Sequence, residues 1–433
     1  MNLKERMELA GQCLLALPEP KEEYLIVGGH EVAHDTGRWW DAVLRLEEAI
    51  GFTIPTELEE SMLCNFQWLT DNPDGLLMNR PDIAATREEA KIDPHNFREG
   101  LLAFTALVHY RKNAWAEEAG HRLLETMDRC LEDDGRLDVT KLKCWGDIPF
   151  TPDPCQRATD TVEWCHTTIS SGRSLEAVVG FYKETADDLA LDVAPRIAQR
   201  HLTHFTNPDG TIRKEITDPK NRGHNHSLHG TLRGLYLYGR LTSQREFTEA
   251  VSATYRNGLR ESVVKESGWM PHDMGMTMWP NDEGDPYAET ASVGDSAQMA
   301  LWLAMDLGHQ DLLDDVERLV RARIFPAQIT PDDARANPDR EFTPKQIGGW
   351  GSHRPAHAAT RCLPDVVAAV SHSLCDIYNH VCTRSSLGLS VNFHFDCEDD
   401  AVKVTAAGGA APSHRRCEAT RKYLRSTTQV DAP

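Results

Sequence analysis

GLYLYGRLTSQREFTEAVSATY, residues 234–255, is the stretch on which the fold reading turns. Its first half is apolar and aromatic, a short polar break follows, and then Phe247, Val251 and Tyr255 return every fourth position. That is one helix, a tight turn and a second helix presenting an apolar stripe. The same pattern recurs in FTALVHYRKNAWAEEAGHRL (104–123), EAVVGFYKETADDLALDVAPRI (176–197) and ALWLAMDLGHQDLLDDVERLV (300–320). Anchored on Tyr110, Tyr182, Tyr238 and Met305, the copies lie 72, 56 and 67 residues apart. Solenoid repeats are shorter and near-constant in length. Helical hairpins joined by long, variable connections instead predict an all-α fold, an (α/α)6-type toroid in which inner helices line a central cleft and outer helices wrap them.

Helical periodicity extends outward from these anchors over Gly37–Ile50, Asn96–Tyr110, Trp115–Cys130, Leu175–Tyr182, Leu189–Leu202, Ser227–Tyr238, Phe247–Leu259, Ser296–Met305, Leu312–Ile324 and Asp365–Val381. The toroid is therefore expected over residues 1–385. SLGLSVNFHFD and AVKVTA alternate as strands do, so 386–406 is expected to begin a β-sandwich-like segment, short and incomplete. Residues 407–433 lose periodicity, turn basic and are expected to be a disordered tail.

The 433 residues carry a net charge of −21, with 40% hydrophobic and 26% charged residues. That balance argues against a nucleic-acid partner, which would demand a concentrated basic surface. No run approaches the ~20 apolar residues that span a bilayer, so no membrane partner is expected. No secretory signal is read at the start, and eleven scattered cysteines without a C-x-x-C pair read as reduced thiols in a cytoplasmic protein. Nucleotide-binding and serine-hydrolase motifs are missing.

Chemistry-bearing residues concentrate in the long connections, where binding and catalysis are usually built. GWMPHDMGMTMWPNDEGDPYAETASVGDSAQ (268–298) places His272, Asp273, Asp282, Glu283, Asp285 and Glu289 around Trp269, Trp279 and Tyr287. Glycosidic hydrolysis needs one protonated and one ionised carboxyl group, with aromatic faces against the sugar. Asp273 is the expected general acid, and Glu289, Asp282 or Asp285 the base that activates water. A solvated acidic loop is the bland alternative, in which Asp295 and Ser296 cap the following helix. RGHNHSLHGTLRG (222–234) puts His226, His229 and Arg233 on one helical face, pointing inward to bind sugar hydroxyls or a carboxylate. The H-x-H-x-x-H spacing of His224, His226 and His229 also suits a metal, but no carboxylate motif of known geometry accompanies it. No metal or other cofactor is expected. GGWGSHRPAHAATRC (348–362) adds Trp350, His353 and Arg354, its paired glycines allowing close backbone approach. HEVAHDTGRWWD adds His34, Asp35, Arg38 and Trp39, while His95, Asn96, Arg98 and Glu99 are weaker candidates.

Several stretches together resemble the bacterial β-L-arabinofuranosidases and their broad family of (α/α) toroid glycoside hydrolases. They are residues 171–194, HGTLRGLYLYGRLT, GWMPHDMG, AETASVGDSAQMALWLA, LDDVERLVRARIFPAQI and 362–396, in the family's order and over about half the chain. In that family the segment matching AETA reads E-T-C and that matching Arg361–Cys362 reads C-C. The glutamate and cysteines hold zinc, and one thiolate is the nucleophile. Glu289 and Cys362 are retained here, but Ala291 and Arg361 replace the other two, so the resemblance does not carry the cysteine mechanism over. It places the general acid at His272 or Asp273, and it implies that the chain continues toward an all-β domain.

The sequence thus yields a metal-independent glycoside hydrolase acting on a plant or microbial oligosaccharide, with inversion by direct water attack. A polysaccharide lyase on the same toroid, with Arg354 neutralising a uronate and Tyr287 or His226 abstracting its proton, is the alternative. A non-catalytic sugar-binding relative is the third reading.

Overall fold

The computed structural model describes residues 2–27, 31–79, 95–144, 171–217, 223–264, 268–274, 288–336, 344–351, 362–385, 388–398, 402–406 and 417–421. Twelve principal helices alternate between two layers among these residues. The inner six are α2 (Val32–Ile50), α4 (Asn96–Arg111), α6 (Leu175–Thr185), α8 (Asn225–Thr242), α10 (Thr290–Leu307) and α12 (Pro364–Asn379). Each packs on the next, and α12 returns to α2, closing the ring. The outer six are α1 (Leu3–Ala16), α3 (Thr56–Leu69), α5 (Ala114–Cys130), α7 (Asp188–Phe205), α9 (Arg245–Ala253) and α11 (Leu313–Leu319). The last two run on as wider-turned helix over Thr254–Val264 and Val320–Ile324. Helix α1 packs on α12 and α2, so the start of the chain completes the final hairpin.

Each inner helix from α2 to α10 ends in a left-handed residue: Gly51, Lys112, Ala186, Ser243 and Gly308. At Lys112–Asn113 and Ala186–Asp187 the next residue already caps the outer helix, Asn113 accepting from the Ala116 N–H at 3.1 Å and Asp187 from Leu189 at 2.9 Å. One left-handed residue reverses the chain and one Asx side chain starts it again. Outer-to-inner connections are long, so the toroid has one short-turn face and one long-loop face. The inner helices approach closely where glycine allows it. A Cβ on Gly37 would meet the Glu99 carbonyl oxygen at 2.8 Å, and one on Gly234 would meet Leu175 Cβ at 2.7 Å.

Short ladders flank the toroid. Strands β1 (Pro18–Glu19) and β2 (Leu25–Ile26) pair antiparallel, as do β3 (Cys382–Ser385) and β4 (Gly388–Val391). A three-stranded sheet follows from β5 (Cys397–Glu398), β6 (Val402–Ala406) and β7 (Cys417–Arg421). Strand structure therefore begins at Cys382, ahead of the expected boundary, and β7 falls in the tail expected to lack regular structure. Phe393 and Phe395, read as continuing a strand, instead leave β4 and bury their rings, Phe395 against Phe325 at 5.9 Å. No helix among the described residues is long and apolar enough to cross a membrane.

Candidate active site

Three extended segments lie side by side at the N-terminal ends of α8 and α10. Residues 270–274 run between 223–225 and 288–289, with bridges pairing His224 with Asp273 and Pro271 with Ala288. Asn225 N donates to the His272 carbonyl at 2.8 Å, Met274 N to Gly223 O at 2.9 Å and Glu289 N to Met270 O at 3.0 Å. The Asn225 side chain adds a bond to Pro271 O at 3.0 Å. A side chain at Gly223 would strike the Ile216 carbonyl oxygen at 2.2 Å, so glycine is needed where this braid begins.

The braid gathers His224, His272, Asp273 and Glu289 on the long-loop side. The rings of His224 and His272 stand 4.7 Å apart, and His224 Nε2 lies 3.6 Å from Glu289 Oε2. Outer partners fix each group. His272 Nδ1 shares a proton with Asp273 Oδ1 at 2.9 Å, His224 Nδ1 pairs with Ser227 Oγ at 2.9 Å, and Ser292 Oγ donates to Glu289 Oε2 at 2.8 Å. Burial alone would raise the Glu289 carboxyl, but the neighbouring imidazoles, His224 foremost, outweigh it and hold it far below the usual range. Glu289 is the N-cap of α10, where the helix dipole also favours the carboxylate.

Deeper on the axis the inner helices are tied by a closed circuit of ion pairs. Arg38 of α2 contacts Glu99 of α4 at 3.3 Å, and Arg98 contacts Glu99 at 3.0 Å and Glu176 of α6 at 2.9 Å. Arg233 of α8 joins Glu176 at 3.1 Å and Asp295 of α10, Asp295 pairs with His226, and His226 Nε2 returns to Arg38 at 2.8 Å. Arg173 adds a bond to Glu99 at 2.7 Å. None of these side chains is more than 5% exposed. Burial opposes charge on Glu176, yet Arg233 and Arg98 prevail and take it down to about 2. Burial, then Arg38, pushes His226 well below its ordinary value. A small axial cavity is lined by members of this circuit, and a wider one of about 1100 Å³, open mouth included, lies on the short-turn side along Asp41, Tyr110, Trp302 and Asp376.

Several sequence expectations change here. His272, Asp273 and Glu289 do come together. His226 and Arg233 share the inward face foreseen for them, where both are held in the ion circuit and line the small axial cavity. His229 is buried with Nδ1 on the Asn225 carbonyl at 2.9 Å. His34 packs against His95, ring centres 5.8 Å apart, at the N-terminal ends of α2 and α4. Trp39 and Trp350 do not face a cleft. Both are fully buried, their indole N–H groups satisfied by the carbonyls of Leu14 at 2.9 Å and Ile324 at 2.8 Å. The close approach permitted by the paired glycines before Trp350 is to α1, where a Cβ on Gly348 would meet Leu9 O at 2.0 Å. Asp295 is no cap, since α10 begins at Thr290. Asp282, Asp285, Tyr287, His353 and Arg354 lie outside the described residues. Local spacing gives no functional signal for Arg173 or Glu176 and only a weak one for His224, Arg98 and Glu99. Cys362 points at Cys13 Sγ, 3.8 Å away, so the cysteine set of the resemblance has no counterpart.

Two concentric rings of six helices define the class, an (α/α)6 toroid. No family model and no curated protein matches the chain. Solved structures do match. An inactive variant of an α-1,6-mannanase of Salegentibacter sp. HEL1_6, in complex with α-1,6-mannotriose, aligns over 87% of this chain and 99% of its own, with TM-score 0.56 and 12% identity. The unsaturated glucuronyl hydrolase of Bacillus sp. GL1 aligns over 86% and 96%, with TM-score 0.56 and 14% identity. A cellobiose 2-epimerase from Bacillus thermoamylovorans B4167 aligns over 82% and 89%, with TM-score 0.54 and 12% identity. These matches establish a shared fold.

Proposed function

We propose that the protein is a glycoside hydrolase acting on an oligosaccharide at the long-loop face of the toroid. The observation that carries the reading is that Glu289 and His272, the latter held by Asp273, are brought from two different segments of the braid together with His224. Glu289 is the base that activates water. The Asp273–His272 pair, 2.9 Å apart, shares the proton that leaves with the aglycone oxygen. The toroid neighbours that process mannan, glucuronyl and cellobiose substrates support carbohydrate as the substrate class. Of the two bases the lyase alternative could use, His226 has both ring nitrogens engaged by Asp295 and Arg38, while Tyr287 lies outside the described residues.

The test is turnover of Asp273→Asn and Glu289→Gln on a panel of aryl glycosides and plant oligosaccharides. A positioned acid or base contributes about 100- to 10,000-fold, and losses of that size are expected in each variant. Undiminished turnover in both would remove the assignment. A product absorbing as an unsaturated uronate would replace it with the lyase.

A further inference from the structure

We infer that His224, His272 and Glu289 form a site for one divalent transition-metal ion of the zinc type. The inference takes over the site of the proposed hydrolase and replaces the metal-free expectation, but it rests on coordination geometry rather than on the hydrolytic reading.

Each of the three side chains offers one ligand atom, and these atoms all lie within 4.8 Å of one another. His224 Nε2 and Glu289 Oε2 are 3.6 Å apart, too far for a good hydrogen bond. Two ligands held about 2.0–2.1 Å from a tetrahedral ion stand about 3.3 Å from each other, so the His224–Glu289 pair is already close to that bite. The outer contacts are those of a ligand set. Metal-bound histidine commonly gives its second nitrogen to a carboxylate or other acceptor, which fixes the ring and its tautomer. Here His272 Nδ1 is on Asp273 and His224 Nδ1 on Ser227, so Nε2 is the ligand atom of each ring, while Ser292 orients Glu289. Two neutral imidazoles and a carboxylate suit zinc among common metals. The donors also differ in access. Glu289 is 6% exposed, His224 17% and His272 19%, so the pair of rings faces outward. Among the described residues the set comprises three protein ligands, the number found in a reactive zinc site rather than in a closed structural one. Such an ion, when bound, supplies Lewis acidity at its open position.

The experiment is titration of chelator-treated full-length protein with Zn2+ by calorimetry and with Co2+ by its ligand-field absorption. One ion per chain with a tetrahedral Co2+ spectrum is expected. His272→Ala and Glu289→Gln should each weaken binding by about 100-fold or more, and Asp273→Asn, which loosens only the orientation of His272, by about 10- to 100-fold. His109→Ala, whose ring pairs with Glu184 on the short-turn face, should leave binding unchanged. Because a ligand variant can fail to fold, wild-type protein is also labelled with diethyl pyrocarbonate. Zn2+ should then protect His224 and His272 while leaving His109 reactive. No stoichiometric uptake, uptake indifferent to the three substitutions, or equal labelling with and without Zn2+ would each overturn the site. Uptake without turnover on the glycoside panel would sink the hydrolase and leave the metal site standing. Turnover without uptake would do the reverse.

Discussion

Asp295 sits in the second turn of α10 and receives hydrogen bonds from both Arg233 and His226, with 1% of its side chain exposed. Removing one partner of a buried ion pair leaves an uncompensated charge, at a cost of about 3–5 kcal/mol. Asp295→Asn should therefore lower the stability of the toroid by about that amount, read as a fall in the urea midpoint. Glu289→Gln keeps the acceptor for Ser292 but gives up a carboxylate that its surroundings favour, so it too should lower the midpoint, by less than Asp295→Asn, which leaves two partners unpaired. The contrast separates the axial circuit, which holds the helices, from the braid, which holds the reactive groups. It also explains what was legible. Asp273, His272 and Glu289 are close in sequence to other acids and aromatics, so their segment stood out. Asp295 read as a cap because Thr290, Ala291, Ser292 and Gly294 carry no periodicity. A helix turn buried on every side has none to show. His224 was in view only as part of the wrong triplet, because the chain brings it to His272 across a bridge that local spacing does not encode.

At the scale of elements, the hairpin repeat lies in backbone conformation more than in residue identity. Lys112, Ala186 and Ser243 hold φ of 50°, 56° and 59° where Gly51 and Gly308 hold 70° and 76°. A side chain in that region costs about 1–2 kcal/mol, part of which glycine returns as unfolded-state entropy. Lys112→Gly, Ala186→Gly and Ser243→Gly should each stabilise by about 0.5–1 kcal/mol, and, being far apart in the ring, they should add in the urea midpoint of the triple variant. No gain in any of the three would show that the turns are held by something other than the cap. Gly348→Ala should act oppositely, because its φ of 94° and the Leu9 carbonyl oxygen leave no room for a Cβ. The recurring reversal is why hairpins were readable from Tyr110, Tyr182, Tyr238 and Met305. Helices α1 and α3 escaped that reading, since each pairs with an inner helix without repeating the aromatic-end pattern. The β segment was readable as alternation but not in its pairing, which in β6 and β7 joins residues up to nineteen positions apart.

For the whole molecule, a closed ring makes buried polar groups a shared burden, and its stability against acid follows from them. His201 of α7 is 1% exposed, with Nε2 on Ser171 Oγ at 3.0 Å. Burial, then the nearby charges of Arg200 and His204, lower its pKa to about 3. The unfolded chain takes up that proton near the ordinary histidine value of about 6.5. Between those limits the unfolded state binds the extra proton, so stability falls as pH drops through the window, by up to about 1.4 kcal/mol per pH unit. Glu176 behaves in a lower window. Its folded pKa of about 2 lies below the ordinary 4.5, so its contribution is complete above 4.5 and is lost as pH falls toward 2. The urea midpoint should accordingly be highest around neutrality, decline below pH 6.5, where the depressed His226 and His229 contribute beside His201, and steepen below 4.5. His201→Gln, which cannot take up a proton in either state, should make the first part of that decline shallower and leave the second. An unchanged slope between pH 6.5 and 5 in that variant would mean that the acid sensitivity of the ring enters through other groups.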